Sequence, residues 1–163
     1  SVAALLHDMG KQGIRNDVLL KPARLSDEER SEMSRHSELT QGVLDRVRFP
    51  AQLKNVPLIA AYHHEKMDGS GPYHLQGEAI PIQARIISVA DVFDALVSAR
   101  AYKTPLTLTK AMAILEAGQD KEWDRVVVQT LRSELPKIVQ AVYGRTAEEM
   151  SHFGSDEDLR EAA

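Results

Sequence analysis

Pro57-Leu58-Ile59-Ala60-Ala61-Tyr62-His63-His64-Glu65 runs directly into Lys66-Met67-Asp68-Gly69-Ser70-Gly71-Pro72-Tyr73. Proline can open a helix, because the N–H it lacks would be unpaired in the first turn anyway. The apolar run that follows carries that helix to two adjacent histidines, and a glycine-rich loop then takes over. Two neighbouring imidazoles make poor packing, since a buried ring needs a partner for each nitrogen. Imidazole is also a common ligand for iron, manganese, nickel and zinc. Glu65 reads either as support for the imidazoles or as an exposed carboxylate, and the exposed carboxylate is the preferred reading.

Outward from this stretch the chain reads as helix almost throughout. Upstream, Ser1 to about Gly10 is an apolar helix with Leu5, Leu6 and Met9 as core candidates; Gly10 and Gly13 loosen its end. Ser26-Asp27-Glu28-Glu29 is a capping box, in which serine and the glutamate three residues on satisfy each other's free backbone donors. Met33, Thr40, Val43, Leu44 and Val47 then form a helical stripe toward Pro50, with His36 on the same face. Downstream, Ile82 to Ser98 is apolar on nearly every side, the mark of a buried helix, yet it carries Asp91 and Asp94. A short helix over Thr109 to Ala117 follows. Trp123 to Tyr143 is helical too, with Pro136 expected to divide or kink it and Trp123, Val126, Val127 and Leu131 read as core packing. His74 and His152 read as surface residues, and 154–158 as a solvated acidic tail. No stretch reads as a strand.

The bulk numbers exclude several classes. With 163 residues, 43% of them hydrophobic, the chain can fill a core of its own. It has no cysteine, which removes disulfides, thiolate metal sites and thiol nucleophiles, and fits a reducing, cytoplasmic home. A net charge of −4 argues against a nucleic-acid polymer as partner, but not against a small anion, because bound metal can reverse the local charge. No apolar run approaches the roughly 20 residues that span a bilayer, so no membrane partner is expected for this segment. The chain opens Ser-Val-Ala-Ala-Leu-Leu, already inside a helical pattern and without an initiator methionine, which reads as a fragment of a longer protein.

Individually the remaining polar residues are ambiguous. His7-Asp8 is either a helix-end pair or a ligand pair, with Lys11 one turn beyond His7 and able to hold a phosphate as a point charge. A lone His36 on an amphipathic helix is commonly a satisfied boundary residue. Asp91, amid Ile86, Ile87, Val89, Ala90 and Phe93, needs either a metal or a salt bridge, for instance to Arg85 or Arg100. Taken together, four histidines and two aspartates on separate apolar helices match the way helical bundles build metal sites from inward side chains. Mixed imidazole and carboxylate ligands suit adjacent metals engaged in phosphoryl chemistry.

His7-Asp8-Met9-Gly10-Lys11 resembles the HD-superfamily signature, and His63 to Gly71 resembles the extended HHExxDGxG motif of the HD-GYP family. Asp91 to Leu96 and Arg100-Ala101-Tyr102-Lys103 are similar as well, so the likeness covers Leu5 to about Leu115. The resemblance implies an all-α HD-domain helical bundle over residues 1–150, N-terminally incomplete, with 151–163 as a tail. It maps His7, Asp8, His36, His63, His64 and Asp91 onto metal ligands for two or three divalent ions. Iron or manganese is expected first, with zinc, nickel or magnesium behind them. Lys11 and Asp8 map onto catalytic positions. Lys11, Gly69, Gly71, Tyr73, Arg100 and Lys103 map onto substrate-binding ones.

The implied reaction is hydrolysis of cyclic di-GMP to pGpG or GMP in bacterial signalling. An upstream receiver or sensor domain and a homodimer are implied with it. There are two departures from the family pattern. Gly71-Pro72-Tyr73 stands where the family has Gly-Tyr-Pro, which displaces Tyr73 by one position. The upstream helix that supplies further ligands in the family also lies outside this sequence. These departures keep two other readings open: a phosphohydrolase acting on another nucleotide or phosphoester, and a weakly catalytic domain that senses cyclic di-GMP or docks a signalling partner.

Overall fold

The computed structural model describes residues 1–98 and 104–144. It contains eight α-helices: α1 (Val2–Leu6), α2 (Asn16–Leu19), α3 (Asp27–Ser34), α4 (His36–Leu44), α5 (Val56–Ala61), α6 (Ile82–Val97), α7 (Leu108–Ala117) and α8 (Arg125–Tyr143). Among the described residues there is no strand, only two isolated bridges, Asp68 with Gln76 and Gln119 with Trp123. The fold is all-α, as expected. No helix among these residues is long and apolar enough to cross a membrane.

The helix starts follow the local chemistry. Ser26 and Glu29 form the full capping box at α3, with Ser26 N–H donating to Glu29 at 2.7 Å and Glu29 N–H to Ser26 Oγ at 3.3 Å. Pro57 sits in the first turn of α5. Thr107 caps α7, and Asp124 caps α8 by accepting from the amides of Val126 and Val127.

Several expectations are corrected. The first helix ends at Leu6 rather than Gly10, and a 3₁₀ turn over Met9–Gly13 follows. His7 and Asp8 therefore sit at the junction between α1 and the 3₁₀ turn, His7 capping the one and Asp8 opening the other. Leu5 is 85% exposed, because that short helix turns only Ala3 fully inward. The stripe after Ser26 is broken at Arg35 into α3 and α4, and its Val43 and Val47 are exposed while Thr40 and Leu44 are buried. Ile82 and Ile86 are exposed, so α6 is not buried on every side. Pro136 lies inside α8 without dividing it. Val126 is exposed, whereas Trp123, Val127 and Leu131 do pack on the core.

The chain divides into two compact units, Ser1–Ser88 and Val89–Ala163. The first has its core in Ala3, Leu44, Val56, Ala60 and Ile87. There α4 packs on both α5 and the Met9–Gly13 turn, while α1 packs on α5. The second has its core in Val89, Phe93, Val97, Leu108, Ala111, Met112, Leu115, Val128 and Val139.

Candidate metal centre

Three short segments of the first unit, His7–Lys11, the start of α4 and the Tyr62–His64 turn after α5, bring their polar residues to one place. The closest joint is at Gly10. Its N–H donates to Thr40 Oγ1 at 2.8 Å, and the Thr40 hydroxyl donates in turn to the His7 carbonyl at 3.0 Å. A Cβ on Gly10 would lie 2.0 Å from the His36 carbonyl oxygen and 2.5 Å from the Thr40 nitrogen. Only glycine lets the two backbones approach this far. That contact brings the His7–Lys11 segment against the start of α4, where His36 is the first residue.

Three of the histidines are set in the same way. His7 Nδ1 donates to the Ala4 carbonyl, His36 Nδ1 to Met33 and His63 Nδ1 to Ala60, each at 2.7 Å and each three residues back. A carbonyl can only accept, so each neutral ring carries its proton on Nδ1 and presents a bare Nε2. The Nε2 atoms then converge. Those of His36 and His63 are 3.3 Å apart, and those of His36 and His64 are 3.1 Å apart. His63 and His64 have ring centroids 3.9 Å apart, and His7 and His63 4.8 Å. His36 and His63 have no proton to share at Nε2, so their approach is one of lone pair to lone pair. It is the arrangement expected around a cation: two ligands about 2.1 Å from one ion, at angles between octahedral and tetrahedral, stand roughly 3.0–3.4 Å apart. His36, His63 and His64 form a set that could hold a metal ion.

The electrostatics agree with that reading. Burial, and after it the charge of His64, pushes His63 down to about 3. Burial likewise lowers His36. Both rings are thus neutral near pH 7, the form that binds metal. Asp8 lies alongside, with Oδ2 3.4 Å from His7 Nε2 and Oδ1 3.5 Å from His36 Nε2. Burial works to raise its carboxyl, but the hydrogen bond and charge of Lys11, with His7 and His36, outweigh this and lower it. Lys11 Nζ is 2.6 Å from Asp8 Oδ2, the oxygen that also faces His7 Nε2.

The glycine-rich loop follows directly from His64. Gly69 has φ +80, a left-handed conformation natural to glycine. Gly71 is buried against Glu65, while Pro72 is exposed. Tyr73 turns its ring edge-on to Tyr62 at 4.9 Å, and its hydroxyl is buried without a hydrogen-bond partner. Burial, then Glu38, Tyr62, Glu65 and Asp45, raise that hydroxyl to about 12. His74 is exposed, as expected.

The expectation for Glu65 is overturned. It is 3% exposed and accepts the amides of Tyr73 and Leu75, one on each carboxylate oxygen, both at 2.7 Å. The available signal was its place between a histidine pair and a loop full of free N–H donors. Asp91 lies on α6, in the second unit. Arg100, Lys103, His152 and the acidic tail lie outside the described residues.

Comparison with known proteins supplies the setting. The model of the HD domain family matches residues 1–127. The chain is 46% identical over 143 residues to the cyclic di-GMP phosphodiesterase response regulator RpfG of Xanthomonas campestris, covering 84% of this chain and 37% of that protein. It is 42% identical over 154 residues to a cyclic di-GMP phosphodiesterase of Thermotoga maritima, covering 93% of this chain and 41% of that one. It is also 42% identical over 131 residues to 3'3'-cGAMP-specific phosphodiesterase 2 of Vibrio cholerae, covering 79% of this chain and 25% of that protein. The chain thus spans less than half the length of these curated relatives.

Proposed function

Since the chain belongs to the HD domain family, we propose that it forms the metal-dependent phosphodiesterase part of a protein that hydrolyses cyclic di-GMP to pGpG or GMP. The observation that carries this reading is the convergence of Nε2 atoms from His36, His63 and His64 beside a carboxylate that faces two imidazoles with two different oxygens. His7, Asp8, His36, His63 and His64 would hold the metal, and the family resemblance adds Asp91 as a further carboxylate ligand. Two or three ions of iron or manganese suit this mixed set. When bound, such ions supply a water acidic enough to attack at neutral pH and neutralise charge on the phosphoryl oxygens.

The chain's own residues supply the rest. The three Nδ1–H bonds to carbonyls lock the rings of His7, His36 and His63, so no reorganisation is needed when ligands bind. Asp8 remains ionised under the influence of Lys11 and holds the Lys11 ammonium at the edge of the cluster. There that ammonium is a fixed positive charge where negative charge grows on the substrate phosphate. The Gly69–Gly71 backbone admits the dinucleotide closely, and Arg100 and Lys103 are assigned to its phosphates by resemblance. In the reaction the oxygen of water bonds to phosphorus, the bond from phosphorus to the 3′ oxygen breaks, and a proton passes to the departing oxygen. A second such cleavage converts pGpG to GMP.

The test is turnover of cyclic di-GMP by the full-length protein prepared anaerobically with iron or manganese, with metal assayed on the same sample. Turnover should vanish on chelation. Asp8→Asn should lower kcat by at least roughly a hundredfold. Fully loaded protein without turnover would defeat the reading. A second substrate, 3'3'-cGAMP, is favoured by the identity to an enzyme named for it. The ratio of kcat/KM for the two dinucleotides decides between them.

A further inference from the structure

We propose that Glu65 is a positioning residue for the substrate loop, coupling its placement to that of the metal-facing imidazoles. The inference rests on the functional reading above and deepens it. Glu65 immediately follows the 3₁₀ turn Tyr62–His64 that presents His63 and His64, and its own N–H closes that turn on the Tyr62 carbonyl at 3.0 Å. Its backbone is therefore part of the imidazole turn. Its side chain reaches eight and ten residues ahead, taking the amide of Tyr73 on Oε1 and that of Leu75 on Oε2, each at 2.7 Å. A buried carboxylate gains most when every strong acceptor position is met by a donor, and amide donors to a charged acceptor are the stronger kind of hydrogen bond.

The packing of Tyr73 against Tyr62 at 4.9 Å ties the same stretch to the residue before the histidines. Its backbone hydrogen bonds from Gly69 to Lys66, His74 to Gly71 and Gly77 to Met67 are internal or nearly so. Gly71 is pressed onto Glu65 so closely that a Cβ would lie 2.6 Å from Glu65 Cα and 2.7 Å from Oε1. Gly71 is thus required by the clamp itself, whatever it does toward substrate. The consequence is a division of labour along four consecutive residues. Tyr62 packs on Tyr73, His63 and His64 face the metal, and Glu65 sets where Gly69, Ser70 and Gly71 stand beside them.

Glu65→Gln preserves size but puts an NH₂ donor where one amide N–H now donates, so one of the two bonds is lost. With the full-length, metal-loaded protein we expect metal content at the wild-type level. Hydrogen–deuterium exchange over 66–77 should be faster, KM for cyclic di-GMP raised about tenfold, and kcat lowered less than KM is raised. Gly71→Ala, which drives a methyl into the same carboxylate, should give the same pattern by a different route. Unchanged exchange and KM in Glu65→Gln would overturn the proposal. So would parallel loss of metal and fold in both variants, which would make Glu65 a support of the imidazole turn alone. Wild-type protein that is loaded with metal yet inactive would defeat the functional reading. The exchange comparison would still decide the clamp.

Discussion

His7, His36 and His63 each use the carbonyl three residues back to settle which ring nitrogen is bare. The device costs no extra side chain and leaves each ring aimed before any ligand arrives. Its price is burial of groups that would otherwise be protonated in acid. His63 is held near 3, and His36 also lies below its ordinary value. As pH falls below about 6.5, the unfolded chain takes up protons that these folded rings refuse, so stability falls with pH and continues to fall toward about 3. The lowered carboxyl of Asp8 adds a loss of the same sign as pH drops through the ordinary carboxylate range. For chelated protein the urea midpoint should therefore decrease steadily from pH about 7.5 to about 5. A flat or rising midpoint would contradict the assigned neutral rings.

Two glycines of one neighbourhood predict opposite outcomes. Gly10 lies where the Met9–Gly13 turn meets α4, with 2.0 Å between its imagined Cβ and the His36 carbonyl. Neither neighbour is the end of a flexible side chain, so Gly10→Ala must push the turn off α4. It should cost about 2 kcal/mol or more and lower metal content, because His7 and Asp8 move away from His36. Gly42, inside α4, has nothing within 4 Å of a Cβ. Gly42→Ala should instead stabilise by about 0.5–1 kcal/mol through the lower entropy of the unfolded chain. Urea denaturation of the two variants, with metal assayed on each, checks both signs. Thr40 joins the same contact by taking one hydrogen bond and giving another, a role a helical stripe of apolar residues does not announce.

The first compact unit draws the groups proposed to hold metal from α4, the turn after α5 and the segment after α1, three segments far apart in sequence. A ligand that binds only when all three are in place stabilises the folded state by mass action. Metal at about a hundred times its dissociation constant should contribute about 2.7 kcal/mol. That corresponds to a rise in melting temperature of roughly 5–10 °C for a chain of this size. Thermal melts of chelated and reloaded protein measure it, and identical melts would mean that no such tie exists. This chain spans 37% of one enzymatic relative and 41% of another.

Much of this was legible in the residues. Turn residues, the Ser26 capping box and Pro57 mark helix starts through local hydrogen bonding alone, so all-α character and most helix positions needed no tertiary information. The order of His7-Asp8, His36, His63-His64 and Asp91 along apolar helices pointed to a metal site, because chemistry of that kind needs those donor atoms. The sequence did not reveal which surfaces meet. Leu5 and Ile86 read as core and are exposed, since apolar periodicity records what a helix could bury rather than what packs on it. Glu65 read as a surface carboxylate, and became the anchor of the loop only because Tyr73 and Leu75 return to it from eight and ten residues away. The 3.5 Å approach of Asp8 to His36 likewise depends on Gly10 letting two backbones touch, a contact between segments thirty residues apart that no local preference encodes.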